Sequence, residues 1–183
     1  MQKLKKKIED IFLKLLLKQD FHEIEISEIQ KKTKIPSKKF FQLFKTKEDI
    51  IISFFKRIDQ NLEKKIKKLG LGNNVKDNLF EICMTRIDLL YPYKKNLYNF
   101  YLSFQKEPNL FIKLYESFFK SMENNLKLSR INLEPIKKKL KIFIFSFLYL
   151  SIIYEWFKES SNNNEKIMAS LDKRLSLIEN ILI

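Results

Sequence analysis

Residues 25–50 read EISEIQKKTKIPSKKFFQLFKTKEDI, a stretch in which apolar residues recur at helical spacing on both sides of a short break. Ile26, Ile29, Ile35, Phe40, Phe44 and Ile50 supply one apolar face. From Ile29 through Lys47 there are seven lysines and no carboxylate. A short helix braced through its apolar face by another, with polar and cationic side chains turned outward, is how a helix-turn-helix DNA reader is built. The candidate DNA contacts are Ser37, Lys38, Lys39, Phe41, Gln42, Lys45 and Lys47. Lysine suits guanine edges and phosphates, and glutamine can pair bidentately with adenine. Lys47 stands at a helix start, where a cationic side chain and the first amides can act on one anion.

On the N-terminal side, Gln2 to Leu17 places Ile8, Ile11, Phe12 and Leu15 on one stripe with lysines opposite, which predicts a helix packed on the reader. On the other side, Thr46 is placed to cap a helix whose first turn holds Lys47, Glu48 and Asp49 and which ends at Gly70-Leu71-Gly72. Further helices are predicted over Val75 to Leu90, Lys94 to Gln105 and Asn109 to Leu128, the first two stopped by Tyr91-Pro92 and Glu107-Pro108. Two longer patterns follow, Pro135 to Glu159 and Glu165 to Leu182, joined by the polar loop Ser160 to Asn164. With two glycines, four prolines and no alternating run between turn dipeptides, the fold class is all-α.

Ile26, Glu28 and Ile29, then Phe40-Phe41, Phe44 and Thr46-Lys47-Glu48, follow in order and spacing the N-terminal motif of the TetR family of bacterial transcriptional regulators, which this chain resembles over about fifty residues. The resemblance implies residues 1–50 as a three-helix helix-turn-helix DNA-binding domain and residues 51–183 as a helical effector-binding and dimerisation domain. It also implies a ligand-responsive repressor, acting as a homodimer on a palindromic double-stranded operator. Three positions depart from the family pattern: Lys34 replaces the usual turn Gly, Pro36 the usual Ser, and Phe41 the Tyr that contacts phosphate. The segment Trp156 to Leu175 resembles one TetR subgroup and, more loosely, the TetR-fold accessory proteins of ubiquinone biosynthesis, which bind lipids or isoprenoids instead of DNA. That is the competing reading, and the three departures support it.

TetR-like proteins dimerise through two terminal helices, which here makes Phe143, Phe147, Leu150, Tyr154, Leu171, Leu175 and Ile178 the candidate dimer interface. The first of these helices also carries Ile144, Leu148 and Ile152 on a second face, so a monomer leaves one apolar row to water. The middle helices of the family enclose an apolar effector cavity, for which Phe54, Phe55, Phe80, Met84, Tyr98, Tyr101, Phe104 and Phe118 are candidate wall residues. Seventeen Phe and seven Tyr are more than a core of this size needs, and a Tyr hydroxyl in an apolar pocket seeks a polar partner.

The net charge of +14 suits a polyanionic partner, although one Ala and one Val beside abundant Lys, Asn, Ile and Phe also suggest an AT-rich genome. The distribution says more than the total. Residues 1–70 carry 19 Lys/Arg against 10 Asp/Glu, a net +9, and the other 113 carry 17 against 12, a net +5. The excess sits where the reader is.

Enzyme chemistry finds no support. His22 is the single histidine, Gly70 and Gly72 are the only glycines, and no Ser or Cys stands in a nucleophile motif. One Cys and one His do not make an ordinary zinc site, so neither cofactor nor metal is expected. Cys83 alone excludes an intrachain disulfide, and with no signal-peptide pattern the expected location is the cytoplasm. The longest apolar stretch, Ile142 to Phe157, falls short of the roughly 20 residues that span a bilayer, so no stable membrane insertion is expected.

Overall fold

The computed structural model of the chain describes residues 1–160 and 164–182, and every regular element among them is helical. The elements are α1 (Gln2–Leu16), α2 (Ile26–Thr33), α3 (Ser37–Leu43), α4 (Lys47–Leu69), α5 (Val75–Leu90), a 3-10 turn (Tyr91–Tyr93), α6 (Lys94–Lys106), α7 (Asn109–Leu128), α8 (Pro135–Lys158) and α9 (Glu165–Leu182). They match the expected segments to within a residue or so at each end, because the stop signals act as their chemistry requires. Gly70 takes φ +76° just past α4 and donates its N–H to the Ile66 carbonyl at 3.0 Å, closing the helix in a conformation that a Cβ disfavours. Residues 161–163 of the expected loop Ser160 to Asn164 lie outside the described residues.

The chain divides into two compact units, Met1–Ile58 with Pro92–Glu116, and Asp59–Tyr91 with the residues from Ser117 onward. These units do not follow the functional division expected at residue 50. α4 runs unbroken through that point, and the first unit recruits α6.

In the first unit Ile8, Phe12 and Leu16 of α1, Phe21 and Ile24 of the following link, Ile29, Phe40, Ile50 and Phe54 are all essentially inaccessible. α6 joins this core through two asparagines. Asn96 Nδ2 donates to the Leu13 carbonyl at 2.6 Å and Asn99 Nδ2 to the Leu16 carbonyl at 2.8 Å. Both acceptors lie in the last turn of α1, where carbonyls have no partner within the helix. α1 is held to α4 by Glu9, a buried carboxylate that accepts from Arg57 Nε at 2.6 Å and from Ser53 Oγ at 2.7 Å.

In the second unit α5, α8 and α9 bury Ile82, Ile87, Phe145, Ile152, Trp156, Leu171 and Leu175. Leu62, Ile66 and Ile82 form a cluster within it, covered by Leu71, Leu89 and Leu128. α8 is longer than the apolar stretch that marks it. With its N-terminal turns included it is 24 residues, long and apolar enough to cross a membrane by length and composition. The helix thus passes by length where Ile142 to Phe157 alone falls short of roughly 20 residues, although the turns that precede this stretch carry Lys137, Lys138, Lys139 and Lys141. One side of α8 nevertheless lies in the protein: Ile142, Phe145, Leu148, Tyr149, Ile152 and Trp156 are buried.

Candidate nucleic-acid interface

The helix-turn-helix is assembled around the turn between α2 and α3. Lys34 ends α2 in the left-handed conformation, φ 55°, and donates its N–H to the Lys31 carbonyl at 3.3 Å. Two side chains fasten the reversal that follows. Thr33 Oγ1 donates to the Gln30 carbonyl at 2.7 Å and accepts from the Ile35 N–H at 3.4 Å, while Gln30 Nε2 donates to the Ile35 carbonyl at 2.8 Å. The turn therefore forms without glycine, at the cost of one strained lysine. Lys34→Gly is expected to raise stability by about 1 kcal/mol, read as a shift of the denaturant midpoint at constant slope.

Pro36 stands one position before α3, and its carbonyl accepts from the N–H groups of Lys39 at 2.9 Å and Phe40 at 3.0 Å. Its fixed φ and missing N–H are no handicap there. Phe40 is fully buried and anchors α3, Ile29, Ile35, Phe44 and Ile50 are buried around it, and Ile26 is half-buried. Ser37, Lys38, Lys39, Phe41, Gln42 and Lys45 are all exposed, so the outer surface of the short helix consists of the residues expected there. Phe41 is 42% exposed and lies edge-on to Phe40 at 5.2 Å between ring centres.

Lys47 is placed differently. Its Nζ turns inward, donating to the Phe21 carbonyl at 2.6 Å and the His22 carbonyl at 3.2 Å, 4.4 Å from the centre of the Phe21 ring. Burial pulls its ammonium below the ordinary lysine range, against Glu48 and Glu107, which pull the other way. The expectation that Lys47 offers its side chain to a phosphate is corrected accordingly, because that ammonium is already engaged by the α1–α2 link. The start of α4 is closed by a reciprocal pair, Asp49 N–H to Thr46 Oγ1 at 3.1 Å and Thr46 N–H to Asp49 Oδ2 at 3.0 Å.

Charged pairs surround the same segment. Glu28 accepts from Lys32 at 3.0 Å and Gln19 at 2.9 Å, and these two bonds hold its carboxyl below the usual range. Lys113 of α7 meets Glu48 at 2.9 Å, and Glu107 lies 3.1 Å from His22 Nδ1. Burial raises the Glu48 carboxyl and is the largest single influence, but the bond from Lys113, a backbone hydrogen bond and the charges of Lys113 and Lys47 together outweigh it, and the net shift is downward.

The candidate effector residues divide between the units, Phe54, Phe55, Tyr98, Tyr101 and Phe104 in the first and Phe80, Met84 and Phe118 in the second. Phe54 is packed edge-on against Phe55 and Tyr93, and Phe104 against Phe100. Tyr98 stacks on Tyr101 with 41% of its surface open to solvent. Met84 is buried, and Phe80 and Phe118 are half-buried.

What composition did not announce is a polar cluster inside the second unit. Arg86, 3% exposed, pairs with Asp59 of α4 and donates from Nε to the Tyr149 hydroxyl at 2.9 Å. Ser121 donates to the same Asp59 oxygen at 3.0 Å. Burial pushes the Tyr149 hydroxyl from its ordinary 10.0 up to about 12, with Arg86 opposing. Stability from keeping this phenol neutral is complete below pH 10.0 and is lost as pH rises through about 12. One late phase in the ultraviolet phenolate titration, absent from Tyr149→Phe, is the expected signature. Burial also pushes the Cys83 thiol above its ordinary range, which leaves it no nucleophile.

The interface residues expected on the last two helices separate. Phe143, Phe147, Leu150 and Tyr154 of α8 are exposed at 57%, 70%, 43% and 42%, in line with Ile136 and Leu140 at 94% and 54%. Leu171 and Leu175 of α9 are buried at 0% and 2% within the chain, and Ile178 is half-buried. Leu171 and Leu175 are thereby corrected from interface to core, since α9 turns that row onto α5 and α8. The outward residues of α9 are Met168, Leu177 and Ile181.

This architecture, nine helices among the described residues with a helix-turn-helix near the N-terminus, is the TetR-like fold. The crystal structure of the TetR transcriptional regulator from Nitrosomonas europaea is similar to it with a TM-score of 0.74 and 16% sequence identity, covering 94% of this chain and 96% of that one. No family model and no curated protein matches the sequence.

Proposed function

We propose that the protein is a dimeric, ligand-responsive transcriptional regulator, acting as a repressor, with no enzymatic activity of its own. The observation that carries this is the exposed cationic surface of α3, where Ser37, Lys38, Lys39 and Gln42 stand outward on a helix anchored by buried Phe40. A helix presented this way meets major-groove base edges and phosphates. Pairing the reader with a second copy supplies the second half-site. The exposed row on α8 from Ile136 to Tyr154 supports that pairing, because an apolar strip of this length left to water is a liability in a monomer. An effector bound within the helical body acts by favouring one of two arrangements of α4, the helix that leads from the reader.

A mobility shift with the DNA upstream of the gene, titrated with salt, tests the reading. A clear preference over random duplex of equal length is expected, with affinity falling steeply as salt rises. No preference would overturn it in favour of a TetR-fold lipid-binding accessory protein.

A further inference from the structure

Four helices of the second unit bring polar groups together inside an apolar core: Asp59 on α4, Arg86 on α5, Ser121 on α7 and Tyr149 on α8. Arg86 bonds to both Asp59 and Tyr149 and Ser121 to Asp59, with the Asp59 carboxylate balancing the Arg86 guanidinium. Two buried side chains on the same helices are not provided for. Asn125, 1% exposed, has a buried Nδ2 with no hydrogen-bond partner among the described residues, and so has the Oγ of Ser146, 2% exposed. Asn125 follows Ser121 by four residues on α7 and Ser146 precedes Tyr149 by three on α8, so each shares a helical face with a member of the cluster. Buried polar atoms without partners cost stability and are uncommon in folded proteins, and two beside one network point to a ligand.

We propose that Asn125 and Ser146 form the polar end of the effector site and receive an uncharged hydrogen-bond acceptor, a carbonyl or ester oxygen, on an otherwise apolar molecule. This rests on the reading of the protein as ligand-responsive. Asn125 Nδ2 can only donate and the Ser146 hydroxyl can donate or accept, so an acceptor oxygen is the one group that satisfies both. The cation nearby is already balanced by Asp59, so a carboxylate would enter as an unpaired buried charge, far costlier than a carbonyl. Met122 and Leu126 on α7 close to Asn125, and Phe145 next to Ser146 on α8, are all buried and apolar. Because Ser121 and Arg86 both hold Asp59, a ligand that alters their bonds acts directly on α4.

Thermal shift of the full chain with dodecan-2-one, dodecane and dodecanoate, in wild type and in Asn125→Ala and Ser146→Ala separately, tests the site. The ketone is expected to stabilise the wild type more than the alkane or the carboxylate. Each variant should weaken its apparent affinity roughly three- to tenfold, the loss of one neutral hydrogen bond, without changing the alkane response. Reading the two variants separately keeps the test decisive if one fails to fold. Equal shifts from ketone and alkane, or an unchanged ketone response in the variants, would overturn the head-group site while leaving an apolar effector in place. If Asn125→Ala is destabilised without ligand and keeps the wild-type ketone response, an internal water satisfies the donors and the proposal falls. No stabilisation of the wild type by any of the three would remove the effector reading together with this one.

Discussion

Phe143→Glu combined with Phe147→Glu is expected to convert the protein to monomer in sedimentation and to abolish operator binding in the same variant. The two rings are 57% and 70% exposed on the outward row of α8, so charging them leaves the fold of one chain intact. It instead places four carboxylates, two per protomer, at a seam that has to bury some 1,600 Å² to be stable. A single reader then grips too little of the duplex to compete with non-specific DNA. Leu171→Glu provides the contrast. That side chain is fully buried, and a carboxylate there is expected to cost more than about 4 kcal/mol and to unfold the chain rather than dissociate it. Sedimentation of the wild type as a monomer at micromolar concentration would refute the seam and with it the paired reader.

Replacing Lys38 and Lys39 by alanine carries the other large expected effect. Both are exposed, so folding stability should stay within about 0.5 kcal/mol of wild type. In a two-fold complex each substitution counts twice. If all four ammonium groups meet phosphates, the slope of log affinity against log salt flattens by nearly four units, roughly 0.9 for each phosphate no longer neutralised. Lys47→Ala should behave in the opposite way. Its ammonium is hydrogen-bonded to the Phe21 and His22 carbonyls, so its removal lowers stability and changes the salt slope little. A Lys38/Lys39 variant with an undiminished slope would show that α3 is not the surface that meets the duplex.

The helices and their ends were legible because the residues that stop them act locally: Gly70 needs its left-handed conformation, Pro108 cannot continue α6, and Thr46 with Asp49 closes the first turn of α4. The inner face of the helix-turn-helix was legible for the same reason, since Ile29, Phe40 and Ile50 have few alternatives to burial. Direction was not. The rows Leu140-Phe143-Phe147-Leu150 and Leu171-Leu175-Leu182 both recur at helical spacing, yet the first is exposed and the second buried. Periodicity identifies an apolar face, and only packing decides which of two faces turns inward. Long-range polar contacts were equally out of reach. Asn96 and Asn99 meet carbonyls 83 positions earlier, and Arg86 meets Tyr149 across 63, with nothing local to signal either.

The inward turn of Lys47 sorts the amines of the helix-turn-helix for covalent chemistry. An amine-reactive label meets the Lys38, Lys39 and Lys45 side chains in solvent, whereas at Lys47 it must first break two hydrogen bonds and displace the ammonium from the Phe21 ring. Mass-spectrometric footprints of the free protein should therefore show three quickly modified lysines and one slow one within the ten-residue span from Lys38 to Lys47. The slow site gives an internal standard for folding, and shielding of the fast ones on adding duplex would map the interface residue by residue without any substitution.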